Sequence, residues 1–281
     1  MIRFGPGGNP NDFYEQGYKS TFEIMKWLFD MGLNAYEYQC GRGVLVQEES
    51  ARKIGEQAKL HDIAMSLHAP YFINLAGEDE EKLEKSKMHI LKSVEAAKWM
   101  GADRVIIHPG SLMKDTRANA LDRALKVFRE VCDDNDDAVT LCPELMGKEG
   151  QLGNIEEIIA LSNVDERVIP TIDFGHLNAR TLGALNSVDA FDSVVKQFID
   201  GIGLERTRKM HVHFSRIEYT GKGEKRHWTM EDVQFGPDFN HLIPVLYKYE
   251  MEPIIICESD GTMAKDALLM KEMYKHANHG N

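Results

Sequence analysis

The chain has 281 residues, 43% hydrophobic and 28% charged, with a formal net charge of −12. This is the balance of a globular protein with a large core; no run of about 18 apolar residues offers a membrane span. The acidity argues against gripping nucleic acid through a broad basic surface, though not against a local groove in which bound metal ions bring their own positive charge.

The opening stretch, MIRFGPGGNPNDF, lacks a basic-then-apolar export pattern. The four cysteines (Cys40, Cys132, Cys142, Cys257) show no C-x-x-C spacing. Free thiols in a reducing cytoplasm are the expectation, with a monomer as the expected state.

Short apolar runs alternate with amphipathic stretches along the whole length. Strand-like runs fall at 2–5 (IRFG), 34–39 (NAYEYQ), 64–69 (AMSLHA), 104–109 (RVIIHP), 139–145 (VTLCPEL), 167–174 (RVIPTIDF), 209–215 (KMHVHFS) and 253–259 (PIIICES). Between the third and fourth, residues 80–100 place Leu83, Met88, Leu91, Val94, Ala97 and Trp99 near helical spacing. Stretches 155–163, 187–200, 238–249 and 263–276 behave alike. Segments 145–153 and 216–236 read as long loops, which in compact domains are usually functional or disordered. Eight strand-then-helix units in one chain of this length predict an α/β fold, a single-domain (β/α)8 TIM barrel over residues 1–281. A doubly wound open sheet is the alternative.

In a barrel the active site lies at the C-terminal ends of the strands. Read there, the third run ends in His68, the fourth in His108 and the fifth in Glu144. The sixth ends in Asp173, with His176 following. The seventh carries His211 and His213, and the eighth ends in Glu258. Each residue alone has an ordinary explanation, since strand-end histidines are often hydrogen-bonded and strand-end carboxylates often cap the next helix. Together they are different. Carboxylates are rarely buried unless paired or bound to metal, and three converging on one mouth with several imidazoles point to a divalent cation. That ligand mixture suits Zn²⁺, Mn²⁺ or Fe²⁺ better than Mg²⁺ or Ca²⁺.

At these residues the sequence resembles endonuclease IV, the metal-dependent apurinic/apyrimidinic endonuclease family among the xylose-isomerase-like barrels. The resemblance implies two or three Zn²⁺ ions, with Mn²⁺ as the substitute. His68, His108 and Glu144 would hold the first; Glu144, Asp173, His211 and Glu258 the second; His176 and His227 would serve the third. It implies Glu144 and Glu258 as the catalytic carboxylates and damaged DNA as partner. Arg42, Tyr71 and Phe72 would enter the DNA at the lesion; the plain alternative for the two rings is core packing. Lys148, Lys222, Lys225 and Arg226 lie where a backbone would pass. One departure stands out: the family has an Asp two residues before the loop histidine, and this chain has Lys225 there. Glu224, one residue earlier, would substitute only if the loop shifts.

The same carboxylates admit a rival. Glu144, Asp173, His211 and Glu258 also match the single-ion set of the superfamily's sugar epimerases and isomerases, in which the two glutamates would exchange a proton on a small ketose. A relative that kept the fold without catalysis is a third class. His61, His89, His241, His276 and His279 read as solvated, and Arg117, Arg123 and Arg129 as a charged helix face.

Overall fold

The computed structural model describes residues 1–135 and 139–278; His279 therefore lies outside the described residues. Among these, ten strands occur: β1 (Arg3–Pro6), β2 (Ala35–Gln39), β3 (Ala64–His68), β4 (Arg104–Ile107), β5 (Thr140–Pro143), β6 (Thr171–Asp173), β7 (His211–Phe214), β8 (Arg216–Thr220), β9 (Gly223–Trp228) and β10 (Ile254–Cys257). Parallel ladders order them β2-β3-β4-β5 and β1-β10-β7-β6. Two further parallel bridges, Gly7 to Glu37 and Glu144 to Thr171, join the two sheets at both seams. The result is a closed eight-stranded TIM barrel, as the unit count predicts. Closure explains why β4, β7 and β10 are buried throughout: helices cover the outside while side chains fill the inside.

Helices Glu80–Met100, Ile155–Ser162, Val188–Ile202, Phe239–Lys248 and Met263–Asn278 fall where the spacing places them. The first buries Val94 and Ala97 of the predicted stripe and packs Leu83, Leu91 and Trp99, partly buried, against the core. Met88 is exposed, and Ser86, Ile90, Ser93, Val94 and Ala97 face the barrel, because small side chains let a long helix lie close to the strands. No helix among the described residues is long and apolar enough to cross a membrane. Segment 216–236, read as loop, contains the antiparallel hairpin β8–β9.

Charged groups also hold the scaffold. Arg117 reaches Glu157 at 2.6 Å, Arg123 reaches Asp115 at 2.6 Å, and Arg129 donates to the Val164 carbonyl at 3.2 Å. These arginines clasp neighbouring segments; they do not form a merely solvated face.

The seam between β1 and β2 has no room for a side chain at Gly5, where a Cβ would stand 1.7 Å from the Ala35 carbonyl oxygen. Gly5→Ala should therefore force the seam open. We expect a loss of about 3 kcal/mol or more, at the upper end for overpacked cores, measurable by urea unfolding.

Candidate metal centre

Glu144 follows β5 and is almost wholly buried. Its Oε2 lies 3.1 Å from His68 Nε2 and 3.0 Å from His108 Nε2, and its Oε1 lies 3.2 Å from His213 Nδ1 and 3.4 Å from His176 Nδ1. Burial pushes this carboxyl up, but His108 and His213 outweigh it and hold the group well below the usual carboxylate range. Burial pulls His68 down, yet its bond to Glu144 raises it to about 9. Burial likewise opposes protonation of His176 and His213, and the surrounding carboxylates lift both well above an ordinary imidazole.

Asp173, the last residue of β6, does two things at once. Its Oδ1 accepts the His176 backbone N–H at 2.7 Å, capping helix Phe174–Arg180. Its buried Oδ2 has no hydrogen-bond partner, although His176 Nδ1 stands 3.2 Å away in an unfavourable direction. Burial raises this carboxyl above its ordinary value. A buried carboxylate oxygen without a donor is what a ligand position for a cation looks like when only protein atoms surround it. Glu144, Asp173, His213 and Glu258 bring one ligand atom each within 4.8 Å of one another.

The seventh-strand histidine grouped with these carboxylates differs from expectation. His213, not His211, joins this quartet. The ladder pairs Asp173 with His213 and Thr171 with His211, so His211 lies two residues, or about 6.6 Å, below the mouth. There its Nε2 contacts Glu37 Oε2 at 2.8 Å, and burial pulls the ring down to about 4. Both histidines share the inward parity; only the register says which one is at the rim.

A second cluster joins helix Phe174–Arg180 to the hairpin. His176 Nε2 lies 3.5 Å from Glu224 Oε2, and His227 Nε2 lies 3.9 Å from Glu224 Oε1. These three can also converge on a cation. In a regular strand Glu224 and His227, three apart, face opposite sides. Here Arg226 pairs with Glu218 and Glu224 with Tyr219, leaving Lys225 as an extra residue in a bulge. One inserted residue changes the parity and turns Glu224 to the side of His227. Lys225 points away and pairs with Glu218 Oε1 at 2.6 Å. The lysine therefore does not oppose a cation at this cluster, and the carboxylate beside the two histidines is that of Glu224.

The hairpin is held by loop 145–153, where the Glu224 backbone N–H donates to the Gly147 carbonyl at 3.2 Å. A Cβ on Gly147 would come 2.8 Å from the Glu224 Cβ and 3.2 Å from His176 Cδ2.

Around the clusters lies a cavity of about 340 Å³, lined among others by His68, Tyr71, His108, His227 and Glu258. Tyr71 and Phe72 are exposed at 61% and 47%, which excludes the core-packing alternative. Arg42 and Lys148 are exposed, and Lys148 lines the cavity together with Gly41, the residue before Arg42. Arg226 is engaged with Asp260 at 2.5 Å and lies over the Trp228 ring, so Lys225 and Arg226 offer less to a phosphate than their positions suggest. The residue that sequence reasoning passed over is Glu37, wholly buried in β2. Its signal was a charge at inward parity in mid-strand, hidden because only strand ends were read.

Comparison with known proteins fits this geometry. The xylose isomerase-like TIM barrel family model matches residues 25–274, and the chain belongs to that family. An uncharacterized protein of Methanocaldococcus jannaschii is 30% identical over 98% of this chain and 97% of its own length. A probable endonuclease 4 of Staphylococcus carnosus is 26% identical over 75% of this chain and 71% of its own. Among solved structures, endonuclease IV from Thermus thermophilus superposes with a TM-score of 0.72 at 20% identity, covering 99% of this chain and 100% of that one. A D-tagatose 3-epimerase-like protein gives 0.68 at 20%, covering 88% and 89%. The fold is thus shared by nuclease and epimerase.

Two outcomes follow. Gly147→Ala should displace Glu224 and lower the number of ions bound per chain by elemental analysis, leaving the Glu144 quartet filled. In the metal-free protein, His68 is raised in the fold above its unfolded value near 6.5. Its contribution to stability is complete below about pH 6.5 and drains away as pH rises through about 9. Thermal unfolding across that window should show the decline, and His68→Gln should flatten it.

Proposed function

We propose that the protein is a metal-dependent phosphodiester hydrolase that cleaves DNA 5′ to abasic sites in base excision repair, as an endonuclease IV-like enzyme using Zn²⁺. One observation carries this reading. Glu144 meets His68 and His108 through Oε2 while its Oε1 meets His213 and His176, and a further group of His176, Glu224 and His227 can converge on a cation. A site for one ion on a ketose has no use for these additional ligands.

His68, His108 and Glu144 would hold one ion; Glu144, Asp173, His213 and Glu258 a second; His176, Glu224 and His227 a third. Bound divalent ions supply a nucleophile at neutral pH and charge stabilisation for a phosphoryl group in in-line displacement. The protein's own groups do the rest. Glu144 is shared between ligand sets and fixes their spacing. Glu258, partly open to the cavity, orients the attacking water. Tyr71 and Phe72 are exposed, Phe72 resting edge-on against His89, and stacking of their rings would offset the unstacking of an extruded nucleotide. Arg42 enters from the adjacent rim. The surface is acidic overall, so the ions themselves supply most of the local attraction for a phosphate backbone.

The second reading is a sugar epimerase with one Mn²⁺-type ion. It is favoured by the quartet of two glutamates, an aspartate and a histidine, and by the fold shared with the epimerase-like structure. Zinc-loaded protein incubated with a duplex containing one abasic analogue should cut that strand 5′ to the lesion, and Glu258→Gln should slow scission by about 100-fold or more. Epimerisation of ketoses in the presence of Mn²⁺, with intact duplex and one ion per chain, would establish the second reading; inactivity in both assays would leave neither.

A further inference from the structure

Glu37 lies one layer below the mouth and has had no role so far. Its carboxylate accepts from Gln39 Nε2 at 3.0 Å on Oε1, and from Ser66 Oγ at 3.0 Å, His211 Nε2 at 2.8 Å and His213 Nε2 at 3.3 Å on Oε2. Four N–H and O–H donors thus surround a carboxylate that has about four lone-pair positions. Glu37, His211 and His213 are close enough to hold a cation, but a cation there would have to displace these donors. The cluster is therefore a support, and its direction of support is visible in His213. That ring spans two layers: Nε2 faces Glu37, while Nδ1 faces Glu144 Oε1 at 3.2 Å and Glu258 Oε2 at 3.6 Å.

An imidazole can give a lone pair to a cation through Nδ1 only if its proton sits on Nε2, and that proton needs an acceptor. We propose that Glu37 is a positioning residue for the metal centre: it holds His213 as the Nε2–H tautomer, with Nδ1 aimed into the quartet of Glu144, Asp173 and Glu258. His211 completes the device from below. Its Nε2 donates to the same carboxylate, and the ladder sets it two residues below His213 and outside the quartet, so His211 fixes Glu37 from below. The inference rests on the metal-centre part of the reading above and is independent of whether the substrate is DNA or a sugar.

The test uses the full-length protein labelled with ¹⁵N-histidine and loaded with ¹¹³Cd²⁺ as a spectroscopic substitute for zinc. Scalar coupling from cadmium should reach His213 Nδ1, while His213 Nε2 keeps its proton. In parallel, chelator competition with Zn²⁺ should show Glu37→Gln weakening the quartet's affinity roughly 10- to 100-fold, Glu37→Asp recovering part of the loss, and His211→Gln changing it far less. Cadmium coupled to His213 Nε2 or to His211, or Glu37→Gln binding Zn²⁺ as tightly as the wild type, would overturn the proposal and leave the metal centre standing. Wild-type protein that takes up no ion would overturn the metal centre as well. Should Glu37→Gln not fold, the coupling pattern of the wild type decides alone.

Discussion

A buried anion surrounded by imidazoles is the constraint on which the mouth of this barrel depends. Glu144 takes its contacts from four histidines carried by four different segments. A carboxylate at that depth with no positive partner would give up its charge. The surrounding rings reverse this and keep it ionised. The same geometry gives the barrel two self-consistent states. Without ions, protons on His68, His176 and His213 balance the carboxylates. Were ions bound there, those protons would leave and the same nitrogens would serve as ligands, which would link metal uptake to proton release.

The second determining feature is the hairpin that caps the barrel. It approaches closely because Gly147 and Gly223 bring the two loops into backbone contact, with Lys148 bridged to Gly223. The bulge at Lys225 then decides which side chains look inward. A single inserted residue converts a spacing unsuited to shared ligation into one suited to it, and moves the lysine charge onto Glu218.

Layering explains how these features combine. Small and apolar side chains such as Ala35, Ala64 and Ile254 fill the lower barrel. Above them sits the hydrogen-bonded layer of Glu37, Ser66 and His211, and above that the ligand layer. Polar groups in a barrel interior are tolerated when each has its partner, and the middle layer gives the upper one a rigid base. The quartet is compatible with chemistry on a sugar or on a phosphodiester; the histidines and the hairpin cluster around it favour the phosphodiester.

Much of this was legible in the linear chain. The alternation of apolar runs with amphipathic stretches determined an eight-unit barrel, because parallel strands need crossover helices and a closed sheet buries every strand. Strand-end placement then singled out His68, His108, Glu144, Asp173, His176 and Glu258, since residues at the ends of parallel strands must meet at one mouth. Three things were decided only by tertiary structure. Strand register, set by cross-strand pairing, chose His213 over His211. Packing inside the cylinder gave Glu37 its four donors, which come from β2, β3 and β7. The bulge opposite Glu218 turned Glu224 toward His227. Each depends on a neighbour distant in the chain, and a period of two along one strand cannot encode which residue of another strand lies beside it.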